Sequence, residues 1–415
     1  MTTAPGEPTL TWAAAADADD PLRSHRAAFA IPDPDVCYLD GNSLGRPPVA
    51  ASVAAETVLH DWSHDLVEAW ESWIDRPLAV GDLLAPLLGA ASGQVIVGES
   101  TTVSLHQAVA GALQASPSRR VMVALRDDFP TDRYVVTGLA DQESIEIRWA
   151  DSADTARVVG LIDDDVAVVV ASAVQFETAA VADVAAITEA AHRVGALVVW
   201  DCSHAAGAIP LDLDDRGVDL AVGCGYKYLH GGPGSPAWTY VADRHHETIR
   251  PTIQGWFGQR DQFAMGPVHD PLPGPAGWRA GTPGILGLEV AAAGFSTVAD
   301  AGIDALRAKS VALCEVIIRA HDAWFADLGI ELASPRSNDD RGGHVALRHP
   351  EAATIVRAAR LDKVVADFRA PDLVRLGPGP LATSYTELTS GLLRLRDVVA
   401  ERKYEDLGPP ASRVT

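Results

Sequence analysis

A chain of 415 residues, 47% hydrophobic and 21% charged, has an ordinary globular composition, and its length favours a large domain with a smaller companion. The net charge of −23 argues against a nucleic-acid surface, which needs clustered Lys and Arg, and no apolar run approaches the roughly 20 residues that span a bilayer. Met1 to Ala13 lacks a basic start and apolar block, and the four cysteines form no C-x-x-C pair, so neither a secretory signal, a disulfide framework nor a zinc ribbon is expected. These features predict a cytoplasmic protein with no nucleic-acid or membrane partner.

Residues 1–35 read as a polar leader and arm. Val36 to Asp40 reads as a short strand, Gly41-Asn42-Ser43-Leu44-Gly45 with Pro47-Pro48 as a turn, and helical patterns follow through Leu88. Strands alternating with helices are then expected at Gln94 to Val97, Arg120 to Leu125, Ile145 to Ala150, Val166 to Ala171, Ala196 to Asp201, Leu220 to Cys224 and Trp238 to Val241. Most are unbroken Val, Ile, Ala and Leu runs, the pattern of strands covered on both faces. The clearest helix runs from an Asp183 cap through Ile187 and Ala191 to a stop at Gly195, and the next strand starts at once. The spacing predicts an α/β fold whose large domain, residues 36–301, holds a mostly parallel sheet between helices. Pro and Gly crowd Pro267 to Gly284, a long functional loop. From residue 302 to 415 a helix, short strands at His344 to Arg348 and Leu373 to Leu376, and a last helix near Thr386 to Tyr404 predict a smaller C-terminal α+β domain.

Parallel sheets hold ligands at the carboxyl ends of their strands, and Asp201 falls at such an end. Lys227 follows 26 residues later, between Tyr226 and Tyr228 and ahead of Gly231-Gly232-Pro233-Gly234. An acid that can pair with a pyridinium nitrogen and a lysine that can form a Schiff base are the parts of a pyridoxal phosphate (PLP) site. A strand-end turn residue and a surface lysine are the plainer alternatives. Ser100-Thr101-Thr102 opens a helix and offers either a phosphate site or an ordinary cap. Phe129 suits stacking on a pyridine ring or a place in the core. His204 belongs to the cofactor wall, since no second ligand cluster supports a metal; His245-His246-Glu247 reads as a solvated helix start. The glycines behind Lys227 are misplaced for a dinucleotide fingerprint.

Together these residues carry a resemblance. Tyr38 to Gly45, Phe129-Pro130-Thr131-Asp132, Asp201 to His204, Gly225 to Gly232, Gly255-Trp256-Phe257-Gly258, Gly281-Thr282 and Arg375 are similar to segments of the kynureninases, fold-type-I PLP hydrolases of tryptophan catabolism. The resemblance implies that Lys227 carries the cofactor, Asp201 pairs with its ring nitrogen and Phe129 stacks on the ring. It implies that Thr101, Thr102, Asp132, Ser172, His204 and Tyr226 line the rest of the cofactor pocket. Trp256 and Thr282 would reach the phosphate from the second subunit of a homodimer. Ser43 and Arg375 would hold the substrate, with Arg375 clamping an α-carboxylate, and Tyr226 would donate or relay a proton. The reaction implied is hydrolysis of the Cβ–Cγ bond of L-kynurenine or 3-hydroxykynurenine to the anthranilate and L-alanine. A modified-ring substrate, desulfurase-like or epimerase-like chemistry, and a catalytically silent PLP scaffold are the alternatives. The chain departs from the family pattern at Gln259, Ala382 and Ala179, where His, Tyr and Gly are usual. The first two lead us to expect room for a substituted aryl ring.

Overall fold

Buried runs of β-branched residues build the heart of the molecule, a seven-stranded sheet. The computed structural model describes residues 6–152, 154–405 and 407. In chain order the strands are β1 Cys37–Tyr38, β2 Val95–Val97, β3 Val121–Leu125, β4 Glu146–Ala150, β5 Val166–Ser172, β6 Leu197–Asp201, β7 Leu220–Gly223 and β8 Trp238–Val241. The large sheet runs β2-β8-β7-β6-β5-β3-β4, with β8 antiparallel to both neighbours and the other pairings parallel. Helices cover both faces. Val169 and Ala171 of β5 enter one apolar cluster while Val168 and Val170 enter another, which is why β5 reads as unbroken Val and Ala. At the edge, β4 carries Glu146 and Arg148 among partly exposed residues, as suits an unpaired sheet margin.

Local signals set the crossovers. The Asp183 side chain accepts from Ala186 N, Gly195 ends that helix at φ 74, and β6 begins two residues later. Each such unit brings the chain back to the same edge, so β3, β5, β6 and β7 all end on one side.

The smaller unit is an antiparallel sheet, β9 Glu331–Leu332, β10 Val345–Arg348, β12 Asp367–Arg369 and β13 Leu373–Leu376, in the order β12-β13-β10-β9. A separate parallel pair joins β1 to β11, Val364–Val365. The expected domain limits need correction on both sides. Helix Leu10–Ala18 packs on helix Tyr385–Ala400, and the Asp17 carboxylate accepts from Tyr385 N (2.6 Å) and Thr386 N (3.0 Å). Ala13 of the leader lies with Cys37 and Leu39 in the small unit's apolar core, while Leu22 and Phe29 lie in the large unit's cluster, so the leader is a structural part of both. Helix Ile303–Ala320 serves both cores, with Leu306 in the large cluster and Leu313 in the small one. Residues 1–5 of the leader and residues 408–415 of the C-terminal unit lie outside the described residues. Among the described residues no single helix is long and apolar enough to cross a membrane.

Candidate active site

The carboxyl ends of β3, β5, β6 and β7 meet around a cavity of about 400 Å³. Phe129 caps helix Pro130–Glu143, whose first residue is the Pro that suits that position, and this start directs Phe129 and Asp132 into the cavity. Phe129 is 40% exposed, meets Phe176 edge-on at 5.3 Å, and lies 6.0 Å from Lys227 Nζ. It is therefore a wall of the cavity and not core. Ser172 ends β5, Asp201 ends β6, and β7 passes through Gly225 to Tyr226 and Lys227. Gly45 N donates to Tyr226 O (2.8 Å), and a Cβ on Gly45 would collide with the Lys227 carbonyl. That contact explains why a glycine turn lies opposite the lysine. On the far side, Ser100 caps helix Thr101–Ala115, and Thr101 and Thr102 present the helix start, with its free N–H groups, to the cavity.

The charges here are under-compensated. Burial pushes the Asp201 pKa up, against the Lys227 charge and a bond from Ser203 N (2.7 Å). Asp132 is driven well above the carboxylate range by burial and then by Asp201 and Asp128. A hydrogen bond from Asp132 works the other way on Asp201, partly offsetting the effect of burial. Burial lowers Lys227, with Arg375 and Arg369 adding to the effect, and this favours the free amine. His204 is held neutral by burial and by Lys227. Asp132 Oδ1 and His204 Nδ1 are buried without partners. Orphaned polar atoms around a cavity with an amine, an acid and a helix start fit a polar aromatic phosphate such as PLP.

Nine of the residues expected from the sequence thus share one cavity: Thr101, Thr102, Phe129, Asp132, Ser172, Asp201, His204, Tyr226 and Lys227. Four do not line it. Arg375 on β13 is buried and bound to Asp367, to Phe176 O (2.5 Å) and to Ser43 Oγ (3.2 Å). A buried guanidinium needs such a counter-charge, so Arg375 and Ser43 stand behind Phe176, which does line the cavity. Thr282 lines a neighbouring cavity of about 370 Å³ that shares Glu99 and Gly234 with the first. Trp256 is 45% exposed, edge-on to Phe257 and Phe263. Gln259 and Ala382 are also absent from the cavity. Gln259 accepts from Asp270 N (2.6 Å), and Ala382 is buried with its carbonyl taken by Arg26. The expectation of a roomier aryl pocket therefore has no support from their positions in this chain. His245 is no solvated helix start; it ends a short 3₁₀ turn with Nε2 2.7 Å from buried Asp219. Phe176, which lines the cavity, and Asp128, which bonds to Ser172 behind it, were missed. Asp128 had a usable signal, an acid three residues past the expected strand end.

Solved structures share this fold. Cysteine desulfurase CsdA from Escherichia coli superposes with a TM-score of 0.77 at 18% identity, covering 93% of this chain and 99% of that one. The apo cysteine desulfurase from Thermococcus onnurineus gives 0.76 at 17%, covering 88% and 95%. The family model described as Cys/Met metabolism PLP-dependent enzyme matches residues 80–244, which contain the lysine and its facing acids. Fold and site together define a fold-type-I enzyme with PLP as cofactor. Kynureninase C-terminal domain is the model that matches residues 306–395. Kynureninase from Pseudomonas fluorescens is 38% identical over 399 residues, 94% of this chain and 95% of the relative; that from Burkholderia pseudomallei strain K96243 is 37% identical over 400 residues. The chain belongs to the kynureninase family.

Proposed function

We propose that this enzyme hydrolyses the Cβ–Cγ bond of L-kynurenine or a ring-substituted kynurenine, releasing L-alanine and the corresponding anthranilate. The observation that carries this is that Lys227 and Asp201 line one cavity of a kynureninase-family chain. When bound, PLP supplies an aldehyde for amines and a ring that accepts the electrons left by the broken bond. With PLP bound, Asp201 would pair with the ring nitrogen, Phe129 would form the wall beside the ring, and Thr101 and Thr102 would hold the phosphate at their helix start. Lys227 Nζ, disfavoured as a cation by burial, takes the proton from Cα of the substrate. The Tyr226 phenol, kept protonated because burial raises its pKa, is the donor to Cβ. Arg375 holds the α-carboxylate once Phe176 gives way, exchanging part of its contact with Asp367.

The same proposal includes a cytoplasmic homodimer in which Trp256 and Thr282 complete the neighbour's phosphate site. Support comes from exposed apolar residues, among them Val53, Trp62, Leu66, Val67, Phe263 and Met265, in and after helix Val49–Asp65 and next to the Trp256 turn. Patches of this kind mark association surfaces. The test is incubation with PLP and each kynurenine. Alanine and an anthranilate in equal amounts are expected; sulfur release from cysteine without kynurenine cleavage would overturn the proposal.

A further inference from the structure

Asp128 lies just past β3, is buried, and does not line the cavity. Its Oδ1 accepts from Phe129 N (3.0 Å) and from the Ser172 hydroxyl, and its Oδ2 accepts from Ser172 N (3.1 Å). One carboxylate thereby ties the exit of β3 to the end of β5. Three donors converge on it, so each oxygen is committed.

We propose that Asp128 is a positioning residue for the cofactor: it fixes Phe129 and Ser172 on the cavity wall and adds negative charge behind Asp201. This rests on the PLP site described above. Phe129, anchored through its own N–H, keeps its ring in the cavity against Phe176. The single hydroxyl proton of Ser172 is spent on Asp128, so Ser172 Oγ offers only lone pairs to a ligand. Ser172 therefore selects a donor group, and a ligand acceptor placed there is repelled.

Charge gives the same carboxylate a second effect. Facing Asp128 are Asp127 beside it in the chain, Asp132 from helix Pro130–Glu143 and Asp201 from β6; Lys227 is the cation felt by Asp132 and Asp201. Burial and then Asp201 and Asp127 push Asp128 up to about 7, against the Ser172 hydrogen bond. A cationic ring nitrogen set against Asp201 favours the ionised form of the whole group, so cofactor binding and Asp128 ionisation reinforce each other.

The test titrates the full-length apo protein with PLP and follows the visible absorbance of the bound cofactor against pH, in wild type, Asp128→Asn, Ser172→Ala and the double variant. For Asp128→Asn we expect about tenfold weaker PLP binding and a downward shift of about one unit in the absorbance midpoint, because lost negative charge favours loss of the cofactor's proton. Ser172→Ala shifts it less, and adding Ser172→Ala to Asp128→Asn lowers the midpoint by less than Ser172→Ala does in wild type, since part of the hydroxyl's effect runs through Asp128. Affinity within twofold and an unmoved midpoint in folded Asp128→Asn overturn the proposal. Circular dichroism of the apo protein checks folding. If Asp128→Asn does not fold, Ser172→Ala decides: a lowered midpoint supports the proposal and an unmoved one overturns it. Wild type that binds no PLP would instead remove the cofactor site itself.

Discussion

Two groups of buried acid sit at opposite ends of one sheet. At the amino end of β7, Asp219 is saturated: it accepts from Val198 N (2.8 Å), His192 Nε2 (2.9 Å), His245 Nε2 (2.7 Å) and Arg244 (2.6 Å). Those hydrogen bonds hold its pKa below the carboxylate range although burial alone would raise it. At the carboxyl end, Asp132 and Asp201 face Lys227, Asp128 lies behind Asp201, and all three acids are raised, burial being the largest cause. The amino end is satisfied by its own donors. The carboxyl end is short of positive charge and short of donors, and a cationic, hydrogen-bonding ligand supplies both.

The largest effect that sharpens this contrast comes from Lys227→Ala, which removes the amine that Asp132 and Asp201 face. Turnover of kynurenine should fall roughly 10³-fold or more, measured as alanine release. Near-normal turnover would mean that the chemistry uses another amine. Asp201→Asn should lower kcat by roughly 10²-fold or more while PLP binding weakens less, because a ring nitrogen without its acid accepts electrons poorly. Equal losses in both would make Asp201 a binding group only.

Arg375→Ala should weaken the amino acid substrate by roughly 2–5 kcal/mol in kcat/KM with the bound-PLP absorbance retained. An unchanged kcat/KM would show that the Asp367 pairing is the whole role of Arg375. At the other end of the sheet, Asp219→Asn should destabilise the protein by about 2–3 kcal/mol in denaturant unfolding and leave kcat untouched. The sign with pH follows from its lowered value. Asp219 contributes full stability above the ordinary carboxylate value of 3.8, and that contribution is lost as pH falls below it. In Asp219→Asn the loss of stability below pH 4 should be shallower than in wild type. A variant equally steep there would show that other carboxylates govern acid unfolding.

The sequence made the sheet legible because strands covered on both faces need apolar residues at every position, as Val166 to Ala171 has. Asp201 and Lys227 were legible for a related reason, since they end or follow such runs. Pairing across the chain left no local trace. Nothing in Ala13 or Cys37 marks them as core of the small unit, and nothing in Ser172 marks Asp128 as its acceptor. Arg375 could be picked out as a candidate clamp, but its engagement by Asp367 depends on an antiparallel pairing of β12 with β13 that the sequence pattern did not announce. Trp256 and Thr282 do not line the cavity that holds Lys227, and nothing in their sequence neighbourhood announced that placement.

The smallest effect concerns the turn that carries Phe176. Ala179 has φ 63, a left-handed conformation that disfavours a Cβ. Ala179→Gly should raise stability by about 0.5–1 kcal/mol in thermal unfolding without altering the cavity. A loss of stability would mean that the methyl's buried contacts outweigh the strain.

The contrast between the two ends of the sheet reduces to where PLP joins the chain. Borohydride reduction of the PLP-loaded protein followed by peptide mapping answers this. The cofactor's mass should appear on Lys227, with no label after Lys227→Ala. Label on another lysine, or none on wild type saturated with PLP, would contradict the assignment of this cavity as the active site.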